Sequence, residues 1–371
     1  MFDTKIILLR SQDIFSDSRV IKYEKWYKKN GIAYRIVGWD RKGQNLTREN
    51  TDYYTGIAGF QQGARGIVGR IKWDFFLLRY LFKHLKEYKV IHACDFDTVL
   101  PALVMKVFGK KVIFDIFDWF SDEVKTGIWF IDSLINFLEK TSVKLADLVI
   151  ICEKGRLEQM KITPHKYLII PNMPFFCNKV DTSRKDIDDH HREIRLVYVG
   201  GLVENRGLDE LIDVIALFPY IKLIIAGYGS EAITDNISEH AKLCDNINFL
   251  GKVSYEKALM LMQDADILYA MYYLDNPNHR FAAPNKFYES ILLRKPIITT
   301  KNTLVGNMVK ENHSGFVIDE GKESLMKFFS SLTLDEIRIV TNMMVPYAKF
   351  VEDIKLQLKE YNDFVFCRFT I

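Results

Sequence analysis

The sequence is poor in cysteine and proline and has no long apolar run. Its five cysteines (Cys94, Cys152, Cys177, Cys244 and Cys367) are scattered, with no Cys-x-x-Cys pair. That spacing argues against a zinc site or a disulfide framework and for the reduced thiols of a cytoplasmic protein. No stretch reaches the roughly 18 apolar residues that span a bilayer. Residues 1–10 lack a signal peptide's basic region, long apolar stretch and small-residue cleavage site; residues 5–9 (KIILL) read instead as a first buried strand. Internal repeats and low-complexity tracts are also missing, so a solenoid is not expected. What remains is 371 residues, 48% hydrophobic and 27% charged. That is the composition of an α/β protein and the length of two domains.

The net charge of +3 conceals an asymmetry. Residues 1–179 hold 29 Lys and Arg against 20 Asp and Glu, a balance of +9, which leaves −6 for the remainder. A basic half is drawn to nucleic acid, anionic lipid or a phosphorylated substrate. No nucleic-acid-binding motif is recognisable in it.

Apolar strand-like runs alternate with helix-like stretches, the pattern of parallel sheets covered by helices. In the first half the strands read at 5–9, 33–37, 90–92, 111–114, 148–152 and, more weakly, 167–170. Helices read at 17–30, 73–88 and 131–146, the first ended by Asn30-Gly31. Pro171, Asn172 and Pro174 break the pattern, and the polar segment 178–193 reads as a linker. A second alternation has strands at 195–199, 222–226, 247–250, 267–270, 296–300 and 315–318. A final helix reads at 345–361.

Three segments carry chemistry. In RLVYVGGLVENRG (195–207) a strand ends in Gly200-Gly201, and Arg206 precedes a helix starting near Leu208. Glycines at a strand end let backbone N–H groups approach a phosphate, and the arginine and the helix dipole favour the same anion. In KLIIAGYGSEA (222–232), Gly227-x-Gly229-x-x-Ala232 resembles a dinucleotide fingerprint. It follows the second strand of its domain, and the next strand ends in Gly251-Lys252 with no acid for a ribose, so a loop shaping a nucleotide pocket is the better reading than an NAD site. In RFAAPNKFYESILLRKPIITT (280–300), Pro284 starts a helix over 285–293 that places Asn285, Lys286 and Glu289 on one face. Lys286 and the helix N-terminus suit a diphosphate, and Glu289 suits two ribose hydroxyls. The alternative is an amphipathic helix with a charged surface pair.

These fragments and others resemble, in order and over nearly the whole length, a family 4 glycosyltransferase of the GT-B architecture. FSDSRVIKYEKWYKKNG is similar to the family's opening helix, HACDFDTVLPALVMKVFGKKVIFD to its acceptor-domain core, and IIPNMP to its interdomain Asn motif. VGGLVENRGLDELI, IIAGYGSE, INFLGKVS, DADILYAMY and PNKFYESILLRKPII follow. The resemblance implies two Rossmann-like domains facing across a cleft. It implies an N-terminal acceptor-binding domain at 1–175, to which a helix at about 346–371 returns, and a nucleotide-sugar-binding domain at 176–345.

The resemblance further implies retaining transfer from a nucleoside-diphosphate sugar, UDP or else GDP, to a glycan or lipid-linked acceptor in polysaccharide or glycoconjugate assembly. Arg206 then holds the donor diphosphate, Glu289 the ribose, and Val253 lies where backbone groups meet the base. Gly200, Gly201, Gly227, Asn285 and Lys286 complete the donor site, and Asp118 lies near the transferred sugar. With no DxD-type metal motif evident at a strand end, no metal or other cofactor is expected, and Arg206, Lys286 and helix amides are left to stabilise the leaving group.

The sequence departs from the family pattern at four places. Gly201 replaces an additional phosphate-binding Arg, and Phe281 replaces the first Glu of the Glu-x7-Glu motif. Phe117 replaces a His, and Ser11-Gln12-Asp13 replaces a Gly-Gly loop. Asn285, Arg280 and His279 are candidates to substitute for the missing carboxylate. A sugar-nucleotide 2-epimerase and a noncatalytic partner subunit of the same fold are the competing readings. An anionic membrane surface is an expected partner of the basic half, through the helix at 70–88 with Arg65, Arg70, Lys72, Arg79, Lys83 and Lys86, giving a cytoplasmic protein peripheral on the inner face of the membrane.

Overall fold

The computed structural model describes residues 6–56, 64–174 and 193–366. The linker segment therefore lies outside the described residues, apart from Glu193. Contacts divide the chain into two units, Met1–Pro171 with Glu352–Ile371, and Asn172–Val351.

The first unit runs β1 (Ile6–Arg10), α1 (Ser18–Lys29), β2 (Tyr34–Asp40), β3 (Thr51–Thr55), α2 (Ala64–Lys83), β4 (Val90–Cys94), α3 (Phe96–Val104), β5 (Lys111–Ile116), α4 (Phe120–Glu123), α5 (Trp129–Leu145), β6 (Leu148–Ile151), α6 (Arg156–Met160) and β7 (Tyr167–Ile169). The second runs β8 (Ile194–Leu202), α7 (Leu208–Ile215), β9 (Ile221–Gly229), α8 (Glu231–Lys242), β10 (Ile247–Phe249), α9 (Tyr255–Gln263), β11 (Ile267–Tyr269), α10 (Pro277–Arg280), α11 (Asn285–Leu293), β12 (Ile297–Thr300), α12 (Leu304–Glu311), β13 (Gly315–Ile318), α13 (Lys322–Ser331) and α14 (Leu334–Met343). The last helix, α15 (Ala348–Phe366), begins in the second unit and from Glu352 belongs to the first.

Both sheets are parallel throughout, ordered β3-β2-β1-β4-β5-β6-β7 and β10-β9-β8-β11-β12-β13. In each, the chain winds outward from a central strand and then restarts on its other side. The order reverses between β1 and β4, and again between β8 and β11. In open α/β sheets that reversal leaves a crevice beyond the carboxyl ends of the strands, where ligands bind.

Local chemistry explains the elements. All five residues of β1 (IILLR) are buried, the continuous apolar run of a strand covered on both faces. Asp17 caps α1 by accepting from the Val20 N–H at 3.0 Å, and Gly31 at φ 62° ends the turn after it. Strand β3 (TDYYT) is absent from the sequence reading because it is a polar edge strand. Its Asp52 is held by both Arg35 Nε and Nη2, at 2.5 and 2.7 Å.

The first core packs Leu9, Ile91, Phe114 and Val149 of the strands against Trp73, Leu77 and Leu81 of α2, with Val143 of α5. Trp39 and Trp73 stack at 5.3 Å. The second core packs Leu196, Ile225 and Ile267 against Leu208, Leu211 and Ile215 of α7.

Candidate functional site

In the second unit β8 does not stop at its glycines. It continues through Gly200 and Gly201 to Leu202, paired residue for residue with β9. The glycine turn expected from the sequence is thus the end of a strand pair. A β-carbon on Gly227 would lie 1.9 Å from the Gly200 carbonyl oxygen, and one on Gly229 2.3 Å from that of Leu202. Gly227 also donates its N–H to the Gly251 carbonyl at 2.8 Å, so its amide is not turned to a phosphate. Its glycine serves the close approach of two backbones. At Gly201 an added β-carbon would meet open space.

The chain then turns through a 3-10 segment, Glu204–Arg206, into α7, with Gly207 at φ 63°. The Arg206 guanidinium lies 3.9 Å over the ring of Tyr272 and approaches the Met271 carbonyl at 3.5 Å. Both partners follow β11, so Arg206 spans the β8/β11 reversal. A cation over an aromatic face keeps its edge donors available to an anion while its plane is fixed.

Tyr272 is held from two sides. Its N–H donates to Thr300 Oγ1 at 2.8 Å, and the His279 ring meets it edge-on at 5.4 Å. His279 Nδ1 lies 2.7 Å from the Tyr273 carbonyl, which can only accept, so Nδ1 carries a proton.

Helix α11 begins at Asn285 with Pro284 as its N-cap, one residue earlier than a first-turn proline. Asn172 Nδ2 donates to the Ala283 carbonyl at 3.0 Å and so ties down the residue before that cap. Lys286 Nζ and Glu289 Oε2 pair at 2.8 Å, with Glu289 only 1% exposed. A carboxylate that buried is not one half of a charged surface pair. Asn285 is half-buried at the head of the helix, and Val253 half-buried between β10 and α9. Phe281 ends α10, and Arg280 is exposed. Arg206 with Tyr272, and Lys286 with Glu289, form two separate contacts in this unit.

The first unit's carboxyl edge is chemically different. Arg10, at the end of β1, pairs with Asp17 at 2.6 Å and with Asp95, and lies 4.3 Å over the Phe117 ring. Asp95 sits at φ 67°, ψ 170°, a region that side chains other than glycine's disfavour, and its Oδ1 accepts from the Phe117 N–H at 2.9 Å. Burial pushes its carboxyl up to about 7 against the pull of Arg10. One turn inward, Arg19 pairs with Asp115 at 2.5 Å, and Asp115 also meets His92 Nε2 at 3.2 Å. Although burial opposes its charge, Arg19 and His92 hold the Asp115 carboxyl well below the usual range.

Asp118 follows β5 and is mostly exposed, and Arg156 approaches it at 3.4 Å. It does not cap the helix that follows, α4. That role falls to the buried Glu139 of α5, which accepts from the Phe120 and Ser121 N–H groups at 2.7 and 3.0 Å. Burial pushes Glu139 up to about 7.

Two metal questions arise here. Asp95-Phe96-Asp97 does spell Asp-x-Asp at the end of β4, which corrects the sequence reading. Its carboxylates, however, face arginines: Asp95 pairs with Arg10, and Asp97 lies 3.6 Å from Arg41 and 3.9 Å from Arg70. Among the described residues, His92, Cys94 and Asp115 bring ligand-type atoms within 4.8 Å. All three are buried, with Arg19 bound to the same carboxylate, so they read as a core network.

Residues 179–349 match the family of group 1 glycosyl transferases. The match lies within the second unit and covers just under half of the chain. A search of curated protein sequences returned no match. Among solved structures, sucrose-phosphate synthase from Thermosynechococcus elongatus is similar over 98% of this chain and 100% of its own, at 16% identity and a TM-score of 0.68. WaaG, a glycosyltransferase involved in lipopolysaccharide biosynthesis, is similar over 97% and 99% at 13% identity and 0.67. Anabaena HepE in complex with UDP and glucose is similar over 96% and 99% at 15% identity and 0.66. The glycosyltransferase fold is therefore GT-B, as the order of motifs implies. The matched domain contains Arg206, Tyr272, Lys286 and Glu289.

Sequence reasoning named His279 only as a substitute for the missing carboxylate, and it missed Tyr272 and Asp95. Tyr272 closes the apolar run DADILYAMY and carries no signal of its own. Asp95 had a visible signal, an acid placed directly after a buried strand.

Proposed function

We propose that the protein transfers a sugar from a nucleoside-diphosphate sugar to a glycan or lipid-linked acceptor in cell-surface polysaccharide or glycoconjugate assembly, on the cytoplasmic side of the membrane. The observation that carries this is the Arg206 guanidinium fixed over Tyr272 at the β8/β11 reversal, in the unit that also buries the Lys286–Glu289 pair. UDP is the nucleotide we assign, in line with the HepE complex, and GDP is the second candidate.

Departure of the nucleoside diphosphate develops negative charge on the β-phosphate. Arg206, Lys286 and the first-turn N–H groups of α11 are the groups that stabilise it. Glu289 accepts the ribose hydroxyls, Val253 borders the base, and Gly200 and Gly201 leave room for the donor. Of the three substitutes for the carboxylate missing at Phe281, His279 is the one packed against Tyr272. Asp118, with Arg156 beside it, orients the acceptor hydroxyl or the transferred sugar. We assign no metal to the reaction, because the Asp-x-Asp carboxylates are matched to arginines. Retention of anomeric configuration is part of the proposal.

The experiment is incubation with UDP- and GDP-sugars and measurement of free nucleoside diphosphate. Release is expected with one of them, and Asp118→Asn is expected to lower turnover at least tenfold, on the order of one lost charge-assisted contact, with nucleotide affinity kept. Conversion of the sugar nucleotide to its epimer without acceptor would favour the epimerase. Binding without any turnover would favour the partner subunit.

A further inference from the structure

Arg206 sits on a segment that does little to hold itself. Glu204–Arg206 is a single 3-10 turn, with Asn205 outside helical geometry at φ −80°, ψ 29° and Gly207 left-handed behind it. The turn is closed by long backbone bonds, from the Arg206 N–H to the Val203 carbonyl at 3.2 Å and from the Gly207 N–H to the Glu204 carbonyl at 3.3 Å. The Arg206 guanidinium has an aromatic face and a carbonyl at 3.5 Å, contacts too weak to order a long side chain by themselves. What fixes the segment comes from the end of β11. Three successive carbonyls, those of residues 205, 206 and 207, all accept from tyrosines. The Tyr273 N–H donates to Asn205 at 3.2 Å. The buried Tyr269 hydroxyl, which has one proton to share, lies 3.1 Å from the Arg206 carbonyl and 3.3 Å from that of Gly207.

Tyr273 joins this segment to three helices. Its carbonyl accepts from His279 Nδ1 of α10. Its hydroxyl donates to Glu210 Oε2 in the first turn of α7 and accepts at 3.1 Å from the N–H of Gly321, the N-cap of α13. Burial, and then the bond to Glu210, push the phenol above its ordinary range, so the hydroxyl remains a donor. The same hydroxyl fills the space in which a side chain at 207 would stand, since a β-carbon there would lie 2.2 Å from it. Glycine at 207 therefore meets two demands, a φ of 63° and room for the Tyr273 hydroxyl. The freedom that Arg206 would otherwise lose on meeting an anion is already lost when the second unit folds, which is how preorganisation raises affinity.

We infer that Tyr269 and Tyr273 are positioning residues, which set the Arg206 guanidinium in place for the diphosphate through the main chain of residues 205–207. The inference rests on the donor site proposed above. The test is calorimetric titration of UDP and GDP into the full chain, as the parent and as Tyr273→Phe, Tyr269→Phe and Glu210→Ala, each alone and combined with Arg206→Ala. A hydroxyl that acts through Arg206 should weaken binding roughly three- to tenfold when it is removed from the parent. Once Arg206 is alanine, its removal should change affinity by less than about twofold. A hydroxyl that only supports the fold would give the same loss in both backgrounds. Glu210→Ala leaves both tyrosines in place and asks the same question of Tyr273 should a tyrosine variant fail to melt cooperatively. Glu210→Gln keeps an acceptor for the Tyr273 hydroxyl and should bind within about twofold of the parent. Parent-like affinity in Tyr273→Phe and Glu210→Ala beside a weakened Arg206→Ala would overturn the inference alone, as would losses that add in the double variants. Absence of binding of either nucleotide by the parent, or parent-like affinity in Arg206→Ala, would overturn the donor site and the inference with it.

Discussion

The two units present the same topological crevice with opposite chemistry. At the β8/β11 reversal the end of β8 carries two glycines and one arginine lies over a tyrosine ring. At β1/β4 the edge is filled by the protein's own ion pairs, Arg10 with Asp17 and Asp95, and Arg19 with Asp115. An edge left open by glycine can admit a diphosphate. An edge whose arginines are already matched to carboxylates admits a group only by offering exposed atoms, as Asp118 does. Topology thus locates both crevices, and in the proposed function the side chains of the second one receive the anion.

The contrast can be broken most forcefully on the crowded side. Asp115→Asn leaves Arg19 buried without its carboxylate, which should destabilise the first unit by about 3–5 kcal/mol. All five tryptophans occur at or before Trp129, so denaturant unfolding followed by tryptophan fluorescence reports that unit. UDP binding by the second unit should persist below the transition. A variant as stable as the parent would show that the network is not what holds this edge.

The glycine side predicts a smaller effect that depends on position. Gly227→Ala drives a β-carbon into the Gly200 carbonyl and should cost about 1–3 kcal/mol by forced backbone shifts. Gly201→Ala enters open space and should stay within about 0.5 kcal/mol. Thermal melts of the pair by circular dichroism check this, and equal losses would contradict it.

The smallest expected effect is a change of slope. Glu139 titrates at about 7 in the folded chain and near 4.3 when unfolded, so between these values the folded state holds a proton that the unfolded state has released. Stability should therefore fall as pH rises through that window. Glu139→Gln should flatten the dependence while keeping an acceptor for the Phe120 and Ser121 amides. Melting curves taken across the window decide it, and an unchanged slope would remove Glu139 as the source.

Much of this was legible from residue patterns. Buried parallel strands such as IILLR and KLIIAG announce themselves as apolar runs, and Pro284 placed the α11 boundary at Asn285. The Arg206 loop was readable because glycine, arginine and a helix start fall together. Strand β3 was not, because TDYYT is stabilised by Arg35 and Tyr80 across elements and not by its own pattern. Tyr272, and the packing of the candidate His279 against it, were hidden for a similar reason: their meaning lies in what packs on them. Gly227 was readable as a glycine that matters, but only the register with Gly200 shows that the reason is steric. The outward aromatics of α5, Trp129 and Phe137 among them, were invisible because periodicity cannot tell which of two apolar faces meets the core.

The central claim is that the β8/β11 crevice holds the nucleoside diphosphate through Arg206 and Glu289. Calorimetric titration of UDP into the parent, Arg206→Ala and Glu289→Gln tests it directly. The account predicts binding by the parent and a loss of about 1.5–3 kcal/mol in each variant, on the order of ten- to a hundredfold in affinity, with the melting temperature unchanged in Arg206→Ala and lowered in Glu289→Gln, whose buried carboxylate also pairs with Lys286. Equal affinity in all three proteins would contradict it and move the donor site elsewhere.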